Sequence, residues 1–203
     1  MSNTKNRIQE AALELFNEKG LKNTTLQLIA DKLDISVGNL AYHYKNKPEI
    51  ISAHNVDLQA KLQVALSHYR NYPNFLDFQI QLTHIFQVVE CYQYMFISIG
   101  EINILSPDTF QTLSSFYAKL LLQIESRISY HQERGILIGL TEESVNMLAA
   151  TITDLVFFNP TTTLFVSDQP PQEKFQKIWN LFLPILTEKG TEEWNTLISP
   201  ILI

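Results

Sequence analysis

Apolar residues in the first fifty positions recur at helical rather than strand spacing. Ile8, Ala11, Ala12, Leu15 and Phe16 share one face of a 3.6-residue helix. Gly20 is a natural stop, because glycine takes the left-handed conformation after a last helical turn. Leu26, Ile29, Ala30 and Leu33 make a second apolar face, opened by Thr25 as N-cap. A third, short helix is predicted from Ser36 to Tyr44. Asn46 caps a fourth, with Glu49 in capping-box position and Lys47-Pro48 in the first turn, where proline costs little. Ile50, Ile51, Leu58, Leu62, Ala65, Leu66 and Tyr69 carry that helix to Arg70, and Asn71-Tyr72-Pro73-Asn74 break it. Five further helices are predicted near 74–91, 92–104, 107–134, 142–158 and 171–188. Ser106-Pro107, Gly139-Leu140-Thr141 and Gln169-Pro170-Pro171 punctuate them, and residues 159–170 read as a loop. The expected class is all-α, about nine helices in total: an N-terminal three-helix helix-turn-helix domain over 1–46, then a helical bundle over 47–203.

Composition agrees with a helical, core-forming chain. Of 203 residues, 45% are hydrophobic and 18% charged, with only 6 glycines and 8 prolines. No basic start leads into an apolar stretch, and no apolar run approaches the ~20 residues that span a bilayer, so a cytoplasmic protein without membrane contact is expected. One cysteine, Cys91, excludes an intramolecular disulfide framework and is too little for a thiolate zinc site. The net charge of −6 argues against nucleic acid until it is divided along the chain. Residues 1–50 carry seven basic and six acidic side chains, and residues 51–203 carry eight and fifteen. A weakly positive head on an acidic body fits a small DNA-binding end.

A tight crossing of two helices through a short turn imposes its own demands. The first helix needs a small residue where the second leans on it, which Ala30 supplies. The turn needs a residue tolerant of positive φ and then an apolar anchor, and Asp34 and Ile35 stand there. The second helix needs an apolar residue facing back, which is Leu40. Ala30, Ile35 and Leu40 thus have helix-turn-helix spacing. The outer face of the third helix is then Val37, Gly38, Asn39, Tyr42 and His43. Gly38 permits close approach of DNA, Asn39 can bond a base edge or phosphate, and Val37 can touch a thymine methyl. Tyr42, His43 and Lys47 offer groups suited to phosphates, and Thr25 and Gln27 can add backbone contacts. Tyr44 falls on the inner side with Leu40.

Residues 7–51 resemble the N-terminal domain of the tetracycline-repressor (TetR) family of bacterial regulators. The matching pieces are Arg7-Ile8, Ala11-Ala12-Leu13-Glu14-Leu15-Phe16, Gly20, Thr24-Thr25-Leu26, Ile29-Ala30 and the run from Ile35 to Lys47. The resemblance implies DNA contacts from Thr25, Gln27, Ser36, Gly38, Asn39, His43 and Lys47. Two positions depart from it. Asp34 stands where the family has the glycine of the turn, and Ala41 where it often has a tyrosine that meets the phosphate backbone, so no contact is assigned to Ala41 and Tyr42 takes more of that role.

The body is rich in aromatic residues, which in the first instance are core. TetR-like proteins often line a ligand cavity with such residues, and pockets combine apolar walls with a few polar groups. On that basis Phe86, Glu90, Tyr92, Phe96, Glu101, Asn103 and Tyr117 are the candidate ligand residues for an unidentified small molecule. The helices near 142–158 and 171–188 carry broad apolar faces. The resemblance implies a four-helix dimer interface there, with Leu148, Ile152, Leu155, Phe175, Ile178, Trp179 and Phe182 as candidates. A homodimer also follows from contact number, since one recognition helix makes too few contacts for specific affinity and two-fold symmetry implies a palindromic operator in double-stranded DNA. The histidines show no metal-ligand spacing, and no nucleophile elbow, phosphate loop or spaced carboxylate pair occurs. No catalysis, metal or cofactor is expected.

The function expected is a ligand-responsive, dimeric transcriptional repressor whose helix at 47–70 moves when a small molecule binds the body. A helical protein-interaction module that no longer reads DNA is the alternative left open by Ala41, Asp34 and the acidic total. An all-helical enzyme has no constellation to support it.

Overall fold

The computed structural model describes residues 2–67, 74–165 and 172–202, and among these it contains thirteen α-helices and no strand. The predicted end of the fourth helix at Arg70, the break after it and the Pro170-Pro171 punctuation lie outside the described residues. The chain divides into two compact units, 1–61 with 90–114, and 62–89 with 115–203.

In the first unit α1 spans Ser2–Asn23, α2 Leu26–Lys32 and α3 Val37–His43. The predicted stop at Gly20 is a kink, with φ 77° and ψ 161°, after which the helix resumes for one turn. That φ favours glycine because no Cβ meets the neighbouring carbonyl. The buried Thr24 hydroxyl lies within reach of both the Leu15 carbonyl (3.1 Å) and the Gly20 carbonyl (2.9 Å) and shares its single proton between them. Ile8, Ala12, Phe16, Ile29, Ala30 and Leu40 are fully buried, each large apolar side chain contributing about 1.5–3 kcal/mol. Helix α4 (Lys47–Ser67) is opened by the Asn46 side chain, which accepts from the Glu49 amide at 3.0 Å, while the Glu49 carboxylate accepts from the Lys45 amide at 2.8 Å. Helices α6 (Gln93–Ile97) and α7 (Ile99–Leu105) complete the unit with the start of α8 (Pro107–Glu133). They replace the one predicted helix at 92–104, which is interrupted at Ser98.

The second unit holds the rest of α8, most of α5 (Phe75–Cys91), and α9 (Glu142–Phe157), α10 (Asn159–Thr163), α11 (Glu173–Phe182), α12 (Glu188–Leu197) and α13 (Ser199–Leu202). Part of the predicted 159–170 loop is therefore helix, begun by Pro160, whose fixed φ suits a first turn. The helix expected at 171–188 gives way after Phe182 to a 3-10 turn at Leu183–Ile185, and Pro184 there cannot donate to a continuing α-helix. The core is an aromatic cluster in which Trp179 meets Phe75, Phe78 and Phe182 with ring centroids 5.1, 5.8 and 5.5 Å apart. The Trp179 indole N–H donates to Gln79 Oε1 at 2.7 Å, so the buried donor is satisfied.

The dimer candidates are divided by that packing. Ile152, Ile178, Trp179 and Phe182 lie within the core of the second unit, at 0, 0, 0 and 2% exposure. Leu148, Leu155 and Phe175 remain partly open. The apolar faces are broad because each serves the core of its own chain first.

Candidate nucleic-acid interface

The turn that positions α3 is closed by backbone bonds. The amides of Leu33 and Ile35 both donate to the Ala30 carbonyl at 3.1 Å, and Asp34 between them takes φ 54°. Asp34 thus holds the left-handed conformation that its place in the sequence demands. Ile35 is half-buried and Leu40 fully so, which fixes one side of α3 to the unit. Ser36 caps α3, its hydroxyl accepting from the Asn39 amide at 3.1 Å, and Thr25 caps α2, accepting from the Leu28 amide at 3.1 Å. Both predicted contact residues therefore also form the ends of the helices they begin.

The opposite side of α3 faces solvent. Gly38 and Asn39 are exposed, Val37 and His43 half-buried, and Tyr42 stands 86% exposed with its ring edge-on to His43 at 5.2 Å. A Cβ on Gly38 would meet only the Ser36 hydroxyl, at 3.8 Å, so packing within the protein does not require a glycine there. Gln27 is exposed, and its amide donates to Asp31 Oδ1 at 2.6 Å, which holds the side chain along α2. Lys47 is half-buried and its ammonium donates to the Leu21 carbonyl at 2.7 Å. Ala41 is half-buried and Tyr44 is core.

The candidate ligand residues fall in both units. Glu90, Tyr92, Phe96, Glu101 and Asn103 belong to the first, Phe86 and Tyr117 to the second. Glu90, Glu101 and Asn103 are exposed, whereas Tyr92 and Phe96 are buried. The Tyr92 hydroxyl donates to the Asp57 carboxylate and accepts from the Lys61 ammonium at 3.2 Å, and burial pushes its pKa up to about 12. Tyr117 donates to Asp154 at 2.7 Å. The second unit has an open cleft of about 460 Å³ lined by Glu125, Ser129, Gln132, Leu140, Glu142 and Asn146, among others, and it contains none of the seven.

Four histidine and amide contacts went unforeseen. His54, buried on α4, lies 2.9 Å from the Tyr94 hydroxyl through Nδ1 and 3.0 Å from the Gln9 carbonyl through Nε2. A carbonyl only accepts, so Nε2 carries the proton and Nδ1 accepts from Tyr94. Burial lowers the His54 pKa to about 4, keeping the ring neutral. The Asn17 amide donates to the Cys91 carbonyl at 2.9 Å and accepts from the Tyr94 amide at 3.1 Å. The only hint in the sequence is the helical spacing of His54, Asp57 and Lys61.

A capped helix pair crossing at Ala30, with the outer side of its second helix exposed, defines a helix-turn-helix protein with an all-helical body. Residues 8–53 match the model of the family described as bacterial regulatory proteins, tetR family. An HTH-type transcriptional regulator of Staphylococcus aureus is 30% identical over 86 residues, 40% of this chain and 45% of that protein. The match thus spans less than half the length of the curated relatives. A TetR-family transcriptional regulator from Marinobacter aquaeolei has the same fold, with TM-score 0.83 and 22% identity over 96% of this chain and 97% of its own. The ketosteroid transcriptional regulator of Mycobacterium tuberculosis superposes with TM-score 0.66 and 17% identity, over 93% and 97% of the two chains. A gamma-butyrolactone receptor superposes with TM-score 0.68 and 13% identity, over 99% and 97%. Residues 8–53 thus carry the tetR-family match, and the chain as a whole has the fold of regulators of that family.

Proposed function

We propose that the protein is a ligand-responsive transcriptional repressor of the cytoplasm, which binds a palindromic operator as a homodimer and releases it when a small apolar or amphipathic effector binds. The observation that carries this reading is α3: its inner side is held by Leu40, while Gly38, Asn39 and Tyr42 stand open to solvent. Val37 and Asn39 read base edges, Gly38 permits the close approach this needs, and Thr25, Gln27, Ser36, Tyr42, His43 and Lys47 meet the backbone. Residues 1–46 are the DNA-binding part, and 47–203 carry effector binding and dimerisation. The dimer forms over the open parts of α9 and α11, including Leu148, Leu155 and Phe175. Sensing of a small molecule is supported by relatives of the same fold that are named for ketosteroid and gamma-butyrolactone. The effector moves the equilibrium only by its differential affinity for the DNA-binding and released states.

Selection from random duplex DNA tests the reading. A palindrome is expected from the wild type, with affinity falling steeply in salt and weakened by Tyr42→Ala and Lys47→Ala. Failure of the folded protein to select any sequence would overturn it and direct attention to a protein partner of the 1–50 surface.

A further inference from the structure

We infer that the turn at residues 91–94 is an anchor for the DNA-reading helices, and that Asn17, His54 and Tyr94 are positioning residues for operator reading. The inference rests on the function proposed above. All the groups involved lie within the first unit.

Two helices of the head are bonded to that turn by side chains with no polar atom to spare. Asn17, on α1, uses both ends of its amide on turn backbone, donating to the Cys91 carbonyl and accepting from the Tyr94 amide. This is the pairing one strand makes with the next, performed by a side chain. His54, on α4, uses both ring nitrogens, one on the α1 carbonyl of Gln9 and the other on the Tyr94 hydroxyl. The imidazole therefore bridges α1 to the turn. Phe16 fills the space between, its ring 5.0 Å from Tyr94 and 6.0 Å from His54.

Further along the same face of α4 the turn is bonded again. Asp57 accepts from the Tyr92 hydroxyl, and Lys61 bonds Asp57 Oδ2 at 2.9 Å and the Tyr92 oxygen at 3.2 Å. Positions 54, 57 and 61 repeat at steps of three and four, so one stripe of α4 meets both tyrosines of the turn. Asp57 and Lys61 are themselves open to solvent, but around the buried His54 and Tyr94 a shift strands a donor or acceptor out of water, which favours one arrangement. Helices α2 and α3 pack onto α1 in series, so the placement of α3 is inherited from α1. A side chain that sets α1 on the turn thus sets α3 without touching DNA.

Asn17→Ala and Tyr94→Phe in the full chain test this. The probe is the duplex recovered by wild-type selection, and the comparator is a shuffled duplex of equal length. Both variants are assayed well below their unfolding midpoints, with helicity matched to wild type. Affinity for the recovered duplex is expected to fall about tenfold or more, while affinity for the shuffled duplex at low salt stays within about twofold. A merely structural role would leave that ratio unmoved in folded protein. Replacement of His54 can unfold the unit, so Tyr94→Phe, which removes one hydroxyl, decides. Wild-type affinity and wild-type ratio in both folded variants would overturn the anchor alone. A wild type that selects no sequence would overturn the DNA-reading function and the anchor with it.

Discussion

At the scale of single residues, two side chains carry more than one demand. Asp34 occupies the left-handed region at φ 54°, where a Cβ is crowded by the following carbonyl. Aspartate tolerates this better than most residues, yet glycine removes the crowding altogether. Asp34→Gly is expected to stabilise the fold by up to about 1 kcal/mol, and Asp34→Val to destabilise it by at least that much. Urea midpoints of the two variants check this, and a stabilising valine would contradict it. Lys47 raises a different question, because its ammonium is bonded to the Leu21 carbonyl beyond the Gly20 kink. That bond uses one of three N–H groups, and the charge remains available to a phosphate. Lys47→Met is expected to weaken operator binding and to reduce the slope of log affinity against log salt by about 0.9. An unchanged slope with lowered stability would confine Lys47 to closing the end of α1.

At the scale of elements, the C-terminal helices show why close approach matters. Helix α12 crosses the segment between α8 and α9 at Gly190, where an added Cβ would lie 2.2 Å from the Ile136 carbonyl oxygen. Backbone cannot yield as a flexible side chain can. The same crossing is bonded by the Thr187 amide to Ile136 (3.0 Å) and the Ile138 amide to Ile185 (2.9 Å). Gly190→Ala is therefore expected to cost about 2 kcal/mol or more, read as a lowered urea midpoint with loss of the tight Trp179–Trp194 contact in tryptophan fluorescence. Wild-type stability would mean that α12 is seated less firmly than its bonds suggest. These helices were not legible in the sequence, since Trp194, Leu197 and Ile198 make only a narrow apolar face. Helices α2 to α4 were legible, because the caps at Thr25, Ser36 and Asn46 stand just ahead of periodic apolar positions. The exposed side of α3 followed as the complement of Leu40. The anchor did not, because its bonds join residues 40 to 77 positions apart and several end on backbone atoms that any residue type supplies.

At the scale of the whole molecule, two neutral histidines couple stability to pH, one in each unit. Burial lowers the pKa of both His54 and His131 to about 4, and for His131 the nearby Arg134 charge adds to it. In the unfolded chain each titrates near 6.5. Between these values the unfolded state binds protons that the folded state refuses, so stability is full above pH 6.5 and falls as pH drops toward 4. Each histidine contributes a slope approaching ~1.4 kcal/mol per pH unit, and a total on the order of 3 kcal/mol across the window. Ordinary carboxylates titrate near 4, so the interval from about pH 6.5 to 5 isolates the histidines. Unfolding free energies from urea titrations are expected to fall by roughly 3 kcal/mol over that interval when both act together. His131→Leu should remove about half of that loss, because a leucine cannot take up the proton in the unfolded chain. The variant also discards the His131 Nδ1 contact with Arg134, so its absolute stability at pH 7 is not the readout; the change with pH is. A wild type of constant stability across the interval would mean that water reaches both rings. A full slope retained in His131→Leu would place the linkage elsewhere. If the slope is halved, the remainder belongs to the buried His54 bridge between α1 and Tyr94.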